Sequence, residues 1–131
     1  NILDGIKKHV SVVTLTPAQS EYGFFRDKLI MQSKAIINLH KNKDVQYFES
    51  VRCFYPLINR IPVVSQDVAN FSDDRYKNAV IFLKRDQFVE EFLNFVGGYQ
   101  NFKKEVDNKL DYFRSLDGFN SFTSSIEKVL Y

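Results

Sequence analysis

Apolar residues along this chain follow two patterns: short unbroken runs, and longer stretches where they recur every three to four positions. The runs are Val10–Thr16 (VSVVTLT), Ala35–His40 (AIINLH), Ile61–Ser65 (IPVVS) and Ala79–Leu83 (AVIFL). They are too short for helices and rich in Val and Ile, as buried parallel strands are. Pro17 ends the first run, and Pro62 sits at the entrance of the third, where a missing backbone donor is tolerated. Helical spacing predicts a helix over Phe24–Ser33, with Phe25, Leu29 and Ile30 turned inward. A second runs over Val45–Asn59, with Asp44 as its N-cap, Tyr47, Phe48, Val51, Phe54, Tyr55 and Ile58 on one face, and Pro56 as a kink. Asp86 caps a third helix, which reaches Val96 and stops at Gly97-Gly98. Phe102, Val106, Leu110 and Phe113 stripe a fourth, Tyr99–Leu116. Asn1–Lys8 reads as a short helix. Ser121–Leu130, past the Asp117-Gly118 break, reads as a last helix docking through Phe122, Ile126 and Leu130. Pro17–Gly23 and Gln66–Asn78 read as loops, the second with one helical turn.

Strands separated by helices predict an α/β fold: Rossmann-like αβα layers around a mostly parallel sheet of about four strands, with a helical C-terminal tail. In such a fold the C-terminal strand ends and the following helix N-termini share one edge, where ligands bind. His40, Lys41, Asn42, Lys43, Glu49 and Arg52 fall near that edge.

Length and composition narrow the picture. The 131 residues suit one domain, whose core draws on 13 Phe and 7 Tyr. The chain has no apolar run long enough for a transmembrane segment and no signal-peptide pattern, which reads as a soluble, cytoplasmic protein. A single cysteine, Cys53, excludes an intrachain disulfide or a cysteine-clustered metal site. Residues 1–66 carry nine Lys/Arg against five Asp/Glu, and residues 67–131 nine against eleven. The basic half suits an anionic ligand but is too sparse for a nucleic-acid footprint.

The stretches SKAIINLH and FESVRCFYPLINRIPVVSQD carry a resemblance. From Arg26 to Asp67 the chain resembles the C-terminal, donor-binding half of the GT-B glycosyltransferases, in particular the bacterial group written roughly "AK-VLN-H … FE-VR--PLL--G-PVVSE". The resemblance implies a domain that binds a nucleotide-diphosphate sugar as substrate, with no metal and no further cofactor. It also implies transfer of the sugar to an acceptor held by another domain or chain, so that this chain alone is inactive. Two βα units that separate the first two strands in that fold are absent here. Asn59-Arg60 replaces a small residue and Gly, and Tyr55 stands where many members carry the second Glu of an E-x7-E motif.

By this resemblance Glu49 accepts hydrogen bonds from donor hydroxyls, work suited to a carboxylate's paired oxygens. The plainer role is an ion pair with Arg52, three residues on. Arg52 would clamp the diphosphate. Lys41 and Lys43 would add positive potential, or simply be solvated. His40 would touch phosphate or sugar, or pack with a nitrogen on backbone. Ser65, Gln66 and Asp67 would reach the donor past the PVV strand, and Asn38 reads as buried and satisfied. Asp73-Asp74-Arg75 reads as a solvated loop and Cys53 as buried and inert. Two other classes compete. One is a degenerate Rossmann-like protein-interaction module without catalysis, favoured by Tyr55 and Asn59-Arg60. The other is a receiver-like signalling domain, disfavoured because VSVVTLT ends without the required acidic pattern.

Overall fold

A computed structural model describes residues 1–14, 23–40, 47–69, 71–116 and 127–129. Among them the order is α1 (Ile2–Lys7), α2 (Phe24–Gln32), β1 (Ile36–Asn38), α3 (Ser50–Ile58), β2 (Val63–Gln66), α4 (Asp74–Ala79), β3 (Ile81–Leu83), a 3-10 turn (Arg85–Gln87), α5 (Phe88–Gly97) and α6 (Tyr99–Arg114). Residues 127–129 are also helical. The fold is mixed α/β, with mostly helix around one small parallel sheet.

The sheet has the order β1-β2-β3, with both pairings parallel. The middle strand, Val63–Gln66, is buried at every position, as its unbroken apolar start demands. Asn38 pairs with Ser65, Ser65 with Phe82, and Gln66 with Leu83. Pro62 precedes β2 and still serves the ladder, its carbonyl accepting from Ile36 N–H at 2.8 Å. Three of the four predicted strands therefore form as read. The fourth does not: Val10–Thr14, the described part of the first apolar run, belongs to no strand. Val10 and Val12 instead rest half-buried against the core.

Helix α3 begins at Ser50, not Val45, and Glu49 rather than Asp44 holds its N-cap position. The reason is Phe48. Its ring lies 4.7 Å from Phe71, 5.4 Å from Tyr76 and 5.6 Å from Phe82, and this anchor holds the chain out of helix until it is past. Pro56 sits in the last turn of α3 and does not break it. At its end Ile61 N–H bonds Pro56 C=O and Arg60 N–H bonds Leu57 C=O, with Arg60 at φ 60°. That is a Schellman stop, whose left-handed position normally holds Gly. Arg60 stands where the resembled pattern has its Gly, and its guanidinium is held by Asp111 of α6.

Helix α2 matches its predicted span, but its inward face is shallow: Leu29 and Ile30 are only half-buried, none of its residues is fully buried, and Phe24 and Phe25 are exposed. Asp86 falls within the 3-10 turn and Gln87 takes the N-cap position of α5. Gly98 ends α5 at φ −104°, and α6 starts at the next residue. Phe88, Phe92 and Phe95 of α5 and Val106, Leu110 and Phe113 of α6 are six of the fourteen buried residues of the core cluster, so these helices are part of the core rather than a tail. Asp73 caps α4, its carboxylate accepting from Arg75 N–H, so the predicted helical turn is a two-turn helix. The Asp117-Gly118 break and the contacts expected of Phe122, Ile126 and Leu130 lie outside the described residues.

Candidate functional site

Parallel strands end together, and the ends of β1 and β2 carry an unusual load of polar groups. Asn38, His40, Ser65 and Gln66 are all buried there. Asn38 Nδ2 donates to Ser65 Oγ at 3.1 Å, and Ser65 Oγ donates to the Gln66 carbonyl at 3.1 Å. Beyond those bonds, Asn38 Oδ1, Gln66 Oε1 and both ring nitrogens of His40 are buried with no partner among the described residues. Each such atom costs roughly 1–3 kcal/mol unless something completes it.

The path of the chain brings Glu49 and Arg52 to the same region. Ser65 and Phe82 are register partners, so their side chains share a face, and Asn38 joins them through its bond to Ser65. Phe48 packs on Phe82, so the chain enters α3 from that face. Glu49 and Arg52 are in contact at 2.6 Å as an i, i+3 ion pair, with the Arg52 side chain 64% exposed. Among the described residues no hydrogen bond joins this pair to the buried polar group. Lys41, Asn42 and Lys43 lie outside the described residues.

A second feature escaped the sequence reading. A hollow of about 450 Å³ opens at the ends of β2 and β3, lined by Asp67, Lys84, Arg85, Asp86 and Gln87. Of these, the sequence marks Asp67 as a ligand contact and Asp86 only as a helix cap. The signal for the rest was present: a strand passing directly into a polar turn and then a helix puts that turn at the binding edge. The hollow carries two cations and two carboxylates, so its charge favours neither sign.

Asp73 pairs with Arg75 at 2.7 Å, and that hydrogen bond holds its carboxyl below the ordinary range. No three His, Cys, Asp or Glu side chains gather into a metal site among the described residues. Cys53 is fully buried in α3, its thiol pushed up to about 12, first by burial and then by the charge of Glu49. No helix among the described residues is long and apolar enough to cross a membrane.

No protein-family model matches the chain, and no solved structure does. Two proteins of Acanthamoeba polyphaga mimivirus are similar to it. The uncharacterized protein L140 is 33% identical over 107 residues, an alignment taking in 80% of this chain and 35% of L140. The uncharacterized protein L137 is 32% identical over 110 residues, taking in 82% of this chain and 14% of L137. The chain thus spans about a third of one relative's length and about a seventh of the other's.

Proposed function

We propose that this chain is the nucleotide-sugar-binding portion of a GT-B-like glycosyltransferase, with a Rossmann-like arrangement around its parallel sheet. The observation that carries this reading is the polar edge of β1 and β2. Asn38 and Ser65, both buried, end two parallel strands on the face they share with Phe82, against which Phe48 packs just before Glu49, and Asn38 Oδ1 there has no partner among the described residues. A core that needed only stability would fill such positions with apolar groups. In this reading Arg52 leaves Glu49 for the donor's diphosphate, and Glu49 turns to the donor's hydroxyls. Ser65 lines the floor, His40 and Gln66 contribute from the same strand ends, and Lys41 adds charge. A cytoplasmic setting and a second domain or chain holding the acceptor belong to the same proposal.

The test is a titration of the chain with nucleoside diphosphates and their sugars, followed by amide shifts near His40 and Glu49. Arg52→Ala is expected to weaken nucleotide affinity by about 1.5–3 kcal/mol, the range for hydrogen bonds to a charged group. Unchanged affinity would leave Arg52 as a surface ion-pair partner and remove the diphosphate clamp.

A second reading, an interaction module without catalysis, draws on a different observation. Phe24, Phe25 and Met31 of α2 and Val51 of α3 are exposed, an apolar surface that a partner would cover. Absence of any nucleotide binding, with concentration-dependent self-association, would favour it.

A further inference from the structure

Resting on the donor-site reading, we propose that Asn38 is a sugar-selecting residue: its Oδ1 receives a hydroxyl of the donor's hexose rather than a phosphate oxygen. The hydrogen-bond chain fixes which way the Asn38 amide faces. The proton of Ser65 Oγ is committed to the Gln66 carbonyl, so Ser65 Oγ can only accept from Asn38. The amide nitrogen must therefore face Ser65, leaving Oδ1 as a bare acceptor. Acceptors repel phosphate oxygens, which are themselves acceptors, and pair with hydroxyl groups, which donate. Two residues on from Asn38, both ring nitrogens of His40 are buried without a partner among the described residues, free to pair with a hydroxyl. Arg52, exposed on α3, is then left to the diphosphate. The roles divide: hydroxyl recognition at the strand ends, charge recognition on the helix.

The experiment measures affinity for a panel of nucleotide sugars and for the matching nucleoside diphosphates, on the wild-type chain, Asn38→Leu and Ser65→Ala. The expected result is that Asn38→Leu loses the sugar's increment of affinity, about tenfold for one buried hydrogen bond, with nucleoside diphosphate binding unchanged. Ser65→Ala should lose part of the same increment, because Asn38 is no longer held. Equal weakening of both ligands, or of neither, overturns the assignment while leaving the donor reading in place. Should Asn38→Leu not fold, deoxy-sugar donors on the wild-type chain replace it: removing one hydroxyl should abolish the shift of the Asn38 side-chain amide. A wild-type chain that binds no nucleotide removes the donor reading. Free hexoses then decide the Asn38 site, since an amide that no sugar shifts means internal water only and overturns it.

Discussion

Arg60 shows how a single residue can hold a conformation against its own preference. A non-glycine residue in the left-handed region costs about 1–2 kcal/mol, and here only the Schellman bonds and the Asp111 contact offset it. That contact lies at the surface and is worth about 0–1 kcal/mol. Arg60→Gly should therefore raise stability by about 0.5–1 kcal/mol, read as a shifted urea midpoint at constant slope; a loss would mean that Asp111 contributes more than a surface pair. Cys53 gives a second expectation at this scale. Its thiol is pushed up to about 12 in the folded chain from an ordinary 9.0, so between these values the unfolded chain sheds the proton first. Stability should then fall as pH rises above about 9, by up to about 1.4 kcal/mol per pH unit from this group alone. Other groups titrate in that window, so the measured quantity is the difference in slope between wild type and Cys53→Ala. The same burial predicts slow alkylation at pH 8 until the chain unfolds. Cysteine inertness was legible in sequence from the bulky helical neighbours of Cys53. The left-handed arginine was legible only as a departure from a glycine, with no sign of what holds it.

At the scale of elements, the three strands were legible because a buried parallel strand has few sequence alternatives once Val and Ile run unbroken. Val10–Thr16 has that composition too, yet its described part joins no strand, because strand formation needs a neighbour to pair with and composition does not supply one. The start of α3 was misread for a comparable reason. Periodicity includes Tyr47 and Phe48 on the helical face, but a ring cluster with Phe71, Tyr76 and Phe82 claims Phe48 first. The buried polar floor was legible as residues, in His40, Ser65 and Gln66. Its unpartnered atoms were not, since only packing decides which polar atoms go without. Helix α6 ties the helical layers together. Phe113 meets Phe54 of α3 at 5.9 Å and Tyr76 of α4 at 5.4 Å. Phe113→Ala should cost about 3–5 kcal/mol, a large share of a total near 5–15 kcal/mol, and loosen α3 and α4 together. A cost under about 1 kcal/mol in denaturant unfolding would show that α6 is not the tie.

For the whole molecule, the tension lies between a well-filled core and elements that stand apart from it. Helices α5 and α6 bury three side chains each along their apolar stripes, whereas α2 buries none and leaves Phe24, Phe25 and Met31 in water. A helix without buried contacts draws little from tertiary packing, and nine residues are too few to hold a helix by local bonds alone. Amides of α2 should therefore exchange with solvent far sooner than those of α5 or α6, and equal protection would mean that something covers it in solution. Under the donor-site proposal the same reasoning governs catalysis. Transfer needs donor and acceptor held in near-attack geometry, and effective molarities of about 10⁵–10⁸ M measure what that positioning contributes. A polar edge that positions only the donor leaves its leaving group open to water. Nucleotide release by this chain alone should accordingly be slow and indifferent to added acceptors. Acceptor-dependent turnover near the usual 1–10³ per second, or about that range, would instead place a complete active site within these 131 residues.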